Sequence, residues 1–481
     1  MHAHRSAPAA GEKSHAQQML RDMHHGMLWP HYLNAALGCW LLLAPFTLGY
    51  LADFQPSASV LRVFAERGLE SPATHNLWMA WSDVLSGLAV IAFSLLAADP
   101  RRRFSWTQWA NAAVGFWLLF APLVFWTPLP AAYANDTLVG MLLIAFAVLV
   151  PMMPGMSMAG MMGGPDVPPG WNYTPSSFAQ RFPIAVLGLF GFLVSRYLAA
   201  YQLGHVDHAW DPFFGSGTMT IITSDMSKAW PIADAGLGTV TYALEVLMAV
   251  MGTKTRWRTM PWMVLGFIVL VVPLGGVSIF FIIAQPIVIG TWCTLCLAMA
   301  LAMVLMIPYA LDELVASGQF LLDAHRRGKP FWRTFWMGDA MQGGSEDTTQ
   351  GFSGELRPLW RQMLQGVNWP WTLLASCAIG AALMLTRLLF GTSGAMANSD
   401  HLVGSLVITF AVMAAAEVAR PLRFANIAFG VWLVAAPWWL DGVGSALAAW
   451  ASVAAGLALI ALALPRGRVH DSYGGWDRYV V

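Results

Sequence analysis

The chain has 481 residues, of which 57% are hydrophobic and only 11% are charged, and its formal net charge is zero. A soluble core cannot bury so much apolar surface, so the composition excludes an ordinary soluble protein and predicts an integral membrane protein. The zero net charge argues against nucleic acid or another strongly charged partner. The first 25 residues are polar and rich in His, so we expect no cleavable signal peptide.

Twelve runs of predominantly apolar residues recur along the chain, each close to the length that a helix needs to cross a hydrocarbon layer of roughly 30 Å. They lie at 28–51, 77–97, 106–126, 137–153, 182–203, 237–252, 261–284, 289–310, 369–390, 402–418, 424–440 and 446–464. The sequence therefore predicts an all-α polytopic membrane bundle of about twelve transmembrane helices, surrounded by membrane lipid.

Basic residues are distributed unevenly between the connections. With the amino terminus inside, the inner connections and the carboxy-terminal tail contain eighteen Lys and Arg residues, whereas the outer connections contain only Arg62, Arg67 and Lys228. Two more, Arg196 and Arg387, fall near the outer ends of apolar runs. Because cytoplasmic connections retain Lys and Arg, we expect a multi-pass protein of a bacterial cytoplasmic membrane, with both termini in the cytoplasm and the start of the eighth run outside.

An internal repeat occupies both ends of the chain. Asn, Gly, Trp and Pro recur at one spacing in three copies that begin at Asn34, Asn111 and Asn426. Partner runs share an aspartate four residues before a glycine, at Asp83, Asp136 and Asp400. The pattern resembles the SPW-repeat membrane proteins and predicts helical hairpins at 28–153 and 369–465, with 369–418 as a degenerate copy. We expect the aspartates to cap the starts of helices rather than to form an ion pathway.

Four other segments carry no catalytic motif. They are a polar tail at 1–27 that contains His and Met, a Met/Gly/Pro linker at 154–180, a cytoplasmic interfacial segment at 312–368 with a disordered hinge at 343–347, and a tail at 466–481. The thioethers within 152–162 are of the type that selects Cu(I). A flexible apolar linker is the favoured interpretation of that run.

Two of the four cysteines, Cys293 and Cys296, stand three residues apart at the start of the eighth run, whereas Cys39 and Cys377 are isolated. Positions i and i+3 share one face of a helix, so the two thiols can form a disulfide that stores two electrons. A zinc site would need a second pair to complete its tetrahedral shell, and the chain has none. No metal ligand is therefore predicted.

Further motifs precede the cysteine pair between residues 181 and 311. Residues 221–224 end in Ser224, Trp230-Pro231 forms a turn motif, and Gly238 and Tyr242 have a Gly-x-x-x-Tyr spacing. Together with Cys-x-x-Cys, this order resembles the vitamin K epoxide reductase family. The resemblance implies a central four-helix bundle that couples thiol oxidation to reduction of a membrane quinone, ubiquinone or menaquinone. It also implies an extracytoplasmic thioredoxin-like protein as the electron donor.

The resemblance suggests roles for particular residues. Cys293 is expected to accept electrons from the donor because it is the more accessible sulfur, and Cys296, one turn deeper, is expected to face the quinone. Ser224 is expected near the pair, and Asp234 in a quinone-binding position. Tyr242 and Trp292 could contact the quinone, although ordinary packing explains both equally well. The intramembrane Glu245 could deliver protons, but pairing within the bundle is favoured.

One departure from the family pattern leaves the function open. Where the family has a loop cysteine six residues before the serine, this chain has Thr218, and no cysteine lies between residues 204 and 235. An internal relay of electrons is therefore impossible. Either an external thiol protein reduces the disulfide directly, or the fold serves as a non-catalytic membrane scaffold or a copper-handling protein.

Overall fold

The computed structural model describes residues 26, 28–51, 54–99, 106–148 and 163–480. Within these residues the chain is almost entirely helical, with three isolated β-bridges and no extended strand. The predicted all-α class is therefore confirmed. The amino-terminal tail and the Met-rich run at 152–162 lie outside the described residues.

Each of the twelve apolar runs coincides with a long helix. These are α1 (Trp29–Thr47), α2 (Pro72–Ala98), α3 (Trp106–Val124), α4 (Pro130–Val148), α5 (Phe178–Gln202), α6 (Asp234–Val250), α7 (Pro261–Ala284), α8 (Thr294–Arg326), α9 (Trp371–Met384), α10 (Gly394–Met413), α11 (Ala425–Trp439) and α12 (Ala446–Ala463). In the described part of the chain, eight helices are long and apolar enough to cross a membrane. A total of twelve crossings stays a prediction.

The chain divides into two compact units, the first formed by residues 1–156 and 203–205. Within it, α1 pairs with α2, and α3 pairs with α4. Each pair crosses where two glycines meet: a Cβ on Gly38 would lie 2.9 Å from the carbonyl oxygen of Gly87, and one on Gly115 would lie 2.8 Å from that of Gly140. The repeated glycines are therefore needed for the close approach of two backbones.

The second unit contains residues 157–202 and 206–481, with α5 to α12. Its last four helices form two further pairs that cross at glycines. A Cβ on Gly380 would lie 2.7 Å from the carbonyl oxygen of Gly404, and one on Gly430 would lie 2.5 Å from that of Gly456. The degenerate copy thus keeps the crossing glycine at Gly380, although the asparagine position four residues earlier is a serine.

The aspartates of the repeat do not cap helices, and that expectation is wrong. Asp83 lies eleven residues past the first residue of α2, and Asp136 and Asp400 lie six residues past the starts of α4 and α10. The three helices begin at residues 72, 130 and 394, five to eight residues before the predicted apolar runs at 77, 137 and 402. All three carboxylates are instead buried in the protein and lie on helix residues beyond the first turn.

The segment after residue 311 is more ordered than predicted. Helix α8 continues to Arg326, and the buried Glu313 on it pairs with Arg256 through two N–O contacts of 2.6 Å. The expected disordered hinge at 343–347 is wrong, since the backbone of Ser345 bonds that of Val167 in both directions. These partners are remote in sequence, which is why local composition did not reveal them.

The carboxy-terminal tail is also packed. Tyr473 is fully buried, and its hydroxyl donates to Glu417 over 2.9 Å. The backbone N–H groups of His470 and Asp471 donate to the same carboxylate. Glu417 therefore supplies three of the hydrogen bonds that hold the tail against the rest of the second unit.

Candidate functional site

The cysteine pair lies at the start of α8. Cys293 and Cys296 form a disulfide with a Cα–Cα distance of 5.3 Å, and Cys293 is the residue before the first helical turn. A π-helical turn, Gln285–Ile289, ends α7 and closes at Gly290 with a φ of 83°. Such turns often mark functional sites. Here the turn brings Gln285 against the pair, where its Oε1 accepts the Cys293 N–H over 3.0 Å.

Cys296 opens onto a cavity of about 820 Å³, part of which is open to its surroundings. The walls are formed by α5, α6, α7, α8 and the connection before α6. Most of the lining is apolar, with side chains such as Leu198, Phe281 and Met299. A largely apolar cavity with a few polar groups fits a small hydrophobic ligand.

Asp234 supplies one of these polar groups. Its Oδ1 accepts hydrogen bonds from Gln202, from Ser227 over 2.9 Å and from the Ala235 N–H over 2.9 Å. No described residue bonds its Oδ2. The carboxylate is thus held rigidly through one oxygen, and the other is available to a ligand in the cavity.

Tyr242 lies on the same wall, one turn beyond Gly238. Its hydroxyl donates to the carbonyl oxygen of Met299 on α8 over 2.8 Å. Its ring fills the space beside Gly191, where a Cβ would lie 2.3 Å from the ring, and Gly238 lets α6 approach Ser195 on α5. The Gly-x-x-x-Tyr motif therefore positions an aromatic wall of the cavity and ties α6 to α8.

Ser224 also lines the cavity, and Trp292 does not. The Ser224 hydroxyl donates to the Ile221 carbonyl over 2.7 Å and begins the short helix Asp225–Lys228. Trp292 instead packs between Phe214 and His401, at centroid distances of 6.0 and 4.8 Å. The structure thus brings Cys296, Ser224, Asp234 and Tyr242 to one cavity and leaves Trp292 behind the disulfide.

The expectation that Cys293 is the accessible sulfur is wrong, since its exposed fraction is 0%. Residues 211–218, which we call the cover loop, pack against Trp292 and Thr294, the residues on either side of Cys293. The loop approaches most closely at Gly217, where a Cβ would lie 2.1 Å from the Trp292 carbonyl oxygen. We therefore expect the cover loop to move when Cys293 becomes accessible.

Asp211 holds the cover loop in place. Its Oδ1 accepts from Thr294 at the start of α8 and from the N–H groups of Phe213 and Phe214. Its Oδ2 accepts from the N–H and the hydroxyl of Thr218 over 2.8 and 2.7 Å. Burial raises the pKa of Asp211, but these hydrogen bonds outweigh it and hold the pKa well below its ordinary value.

Sequence analysis missed Gln285 and gave Glu245 the wrong surroundings. A signal for Gln285 was present, since it is a polar residue at the end of a strongly apolar helix. Glu245 is fully buried, and neither oxygen has a hydrogen-bond partner among the described residues, so the favoured pairing is wrong. Within the described part of the chain, no group of three His, Cys, Asp or Glu side chains is placed to hold a metal ion.

Comparison with family models accounts for most of the architecture. Residues 182–311 match the vitamin K epoxide reductase family, and residues 58–150 and 370–466 match the SPW repeat domain. No curated protein and no solved structure matches the chain. The predicted architecture is confirmed: the protein carries a vitamin K epoxide reductase family segment, with its disulfide and cavity, between two SPW repeat segments.

Proposed function

We propose that the protein is a membrane thiol-quinone oxidoreductase. The observation that carries the proposal is the opening of Cys296 onto a largely apolar cavity that also contains Asp234 and Tyr242. A quinone ring has apolar faces and two carbonyl oxygens, which this lining suits. The vitamin K epoxide reductase family match over the same residues supports redox chemistry at a membrane.

The reaction has two balanced halves. A donor dithiol reduces the Cys293–Cys296 disulfide to two thiols and becomes a disulfide itself. The two thiols then give two electrons and two protons to a quinone, which leaves as a quinol while the protein disulfide forms again. The net reaction is dithiol plus quinone to disulfide plus quinol, and no further oxidant is needed.

The two sulfurs have different roles in this scheme. A donor thiolate attacks Cys293 after the cover loop moves, and Cys296 then leaves as the thiolate inside the cavity. The first turn of α8 favours a thiolate beside its free N–H groups, which carry a partial positive charge, and the Cys293 Sγ accepts the Cys296 N–H over 3.1 Å. Gln285 keeps the Cys293 backbone at the start of that turn.

Asp234 and Glu245 are the groups best suited to supply the protons that the quinone takes up. The free Oδ2 of Asp234 can bond a quinone oxygen or its protonated product. Glu245 lies one turn from Tyr242 on α6, and its buried, unpartnered carboxyl can hold a proton near the cavity. Both groups would supply protons without opening the cavity to water.

The distribution of basic residues supports the orientation that we propose. In the second unit, Arg181, Arg256 and Arg258 lie at the end of the bundle opposite the cysteine pair. By the positive-inside rule, the disulfide then faces the outside of a bacterial cytoplasmic membrane. An extracytoplasmic thioredoxin-like protein is the proposed donor, because no described loop cysteine precedes the pair.

The test uses the full chain in detergent with dithiothreitol and a ubiquinone or menaquinone analogue. We expect quinone reduction that is abolished by Cys296→Ser and unaffected by Cys377→Ser, which removes a free thiol of the same unit. Equal rates in the wild type and Cys296→Ser would refute the proposal.

A further inference from the structure

The first SPW repeat segment contains two buried carboxylates that quinone chemistry does not use. Asp83 on α2 and Asp136 on α4 stand at equivalent positions, each four residues before its crossing glycine. Both side chains have an exposed fraction of 0%. Ala80 and Ala132, one turn before the two aspartates, pack with Tyr50 in one buried cluster, and the two carboxylates interact electrostatically beside it. The two hairpins of the first unit thus place one carboxylate each at a shared internal site.

The surroundings offer this pair no compensating positive charge. Neither carboxylate forms an ion pair with a described residue. From the end of α1, the titratable group that faces the pair is Tyr50, and α3 contributes no ionisable side chain. On α4, the Asn135 side-chain N–H donates to Asp136 over 3.1 Å, and Asn135 is itself held by the Trp40 indole N–H.

Two ionised carboxylates are not stable together at a buried site without a positive charge. Removing each charge from water is costly, and the repulsion between them is strong because the interior has a low dielectric constant. Like carboxylates in contact therefore keep a proton between them, as one group is neutral and donates to the other. The arrangement is stable only with at least one bound proton or another cation.

A second observation indicates space for a ligand. Both oxygens of Asp83, the Oδ2 of Asp136 and the Tyr50 hydroxyl are buried, without a hydrogen bond of ordinary length to any described residue. The Tyr50 hydroxyl nevertheless faces both carboxylates. Three buried side chains that interact with one another thus leave polar atoms without a hydrogen-bond partner. Divalent cations need six or more oxygen ligands, which this set does not provide.

We propose that Asp83 and Asp136 form a proton-binding site in which the two carboxylates share one proton. The site belongs to the first SPW repeat segment and does not depend on the cysteine pair. The proton is the smallest ligand that removes the repulsion, and the Asn135 side-chain N–H stabilises the remaining negative charge on Asp136. The pair can take a second proton on one side chain and release it again without moving a helix.

The second SPW repeat segment provides a comparison within the chain. Asp400 keeps the carboxylate position before Gly404, but the position before Gly456 is Ser452. The Ser452 hydroxyl donates to the Leu433 carbonyl over 3.1 Å. Asp400 therefore has no second carboxylate at the equivalent place, and a shared proton is a property of the first segment alone. Asp400→Asn is the matched control.

Infrared spectroscopy of the full chain tests the proposal, since a protonated carboxyl has a C=O stretch that a carboxylate lacks. At neutral pH we expect the carboxyl band of the wild type to keep its intensity in Asp400→Asn and to lose intensity in the double variant Asp83→Asn/Asp136→Asn, where other buried carboxyls such as Glu245 account for what remains. In Asp136→Asn, the pH at which Asp83 loses its proton should fall by about one unit or more, because the repulsion is gone. Gel filtration checks that each variant is folded.

Two results would overturn the proposal. Identical carboxyl bands in the wild type and the double variant would mean that neither group carries a proton. Loss of the wild-type band on addition of sodium or potassium chloride would identify a metal cation as the ligand. If the double variant does not fold, the single variants decide the question, and an unchanged protonation midpoint of Asp83 in Asp136→Asn would rule out a shared proton.

Discussion

Replacing Asp211 with Asn should expose the disulfide. The carboxylate accepts five hydrogen bonds, four of them within the cover loop and one from Thr294 on α8. An amide keeps one acceptor oxygen but loses the charge and the bonds from Thr218. Because Asp211 is largely solvated, we assign these losses the low end of the usual range, together about 2 kcal/mol, which is roughly thirtyfold in the population of the open loop.

The assay measures how fast a reductant opens the Cys293–Cys296 disulfide in the full chain. At each time point the free thiols are alkylated with a maleimide that increases the mass of the protein. The fraction of protein with the increased mass is then the fraction whose disulfide has been reduced. Reduction by a thioredoxin-like protein should accelerate by about the factor derived above, because that protein needs the loop to open. Asp207→Asn, an exposed acidic residue near the same loop, is the control and should have no effect. Equal rates for Asp211→Asn and the wild type would refute the role assigned to the cover loop.

Three other outcomes are expected. Gly191→Ala should reduce the free energy of unfolding by about 1–3 kcal/mol, seen as a lower melting temperature, because the new Cβ would meet the Tyr242 ring. Gly276→Ala is the control and should not lower it, since the space around Gly276 is open. Equal melting temperatures for the two variants would contradict the packing described for Gly191. Gln285→Leu should slow quinone reduction roughly tenfold, since it leaves the Cys293 N–H buried without an acceptor, and an unchanged rate would rule out this positioning role. The pKa of Asp211 is lower in the folded protein than in the unfolded chain. The carboxylate therefore stabilises the closed cover loop at any pH above its unfolded pKa, and this stabilisation is lost only as the pH falls through the folded pKa. Reduction by a phosphine should therefore keep one rate from about pH 8 to about pH 4.5, and a rise near pH 5 would contradict it.

Periodicity and motif order were enough to predict the fold class and the two families. A run of apolar residues defines a membrane helix by itself, because each backbone polar group is satisfied within the helix. The repeated glycines were equally informative, since Gly38 and Gly87 meet at a crossing that admits no side chain. Such features depend on local sequence and are therefore visible in it.

Contacts between remote residues could not be predicted in the same way. Asp312 and Glu313 suggested the end of a membrane helix, yet α8 continues, with Tyr173 donating to one oxygen of Asp312 and Arg256 pairing with Glu313. The burial of Cys293 depends on a loop about eighty residues earlier, which Asp211 fastens to α8. Composition identifies these residues as polar but does not reveal their partners.

The candidate site shows the same division. Ser224, Asp234 and Tyr242 followed from the motif order, and all three line the cavity with Cys296. The role of Gln285 was not predicted. Its position at the end of an apolar helix was a signal, but no sequence pattern indicated the π-helical turn that brings it to Cys293. The pairing of Asp83 with Asp136 was missed because it joins two hairpins whose relative placement the sequence leaves open.

A single-turnover experiment tests the central claim most directly. The full chain is reduced, freed of reductant without oxygen and mixed with a menaquinone or ubiquinone analogue, while quinone absorbance and free thiols are followed together. The account predicts one quinol formed for each Cys293–Cys296 disulfide that returns, and none from Cys296→Ser. Quinone that stays oxidised beside two persistent thiols, or quinol formed equally by Cys296→Ser, would contradict it.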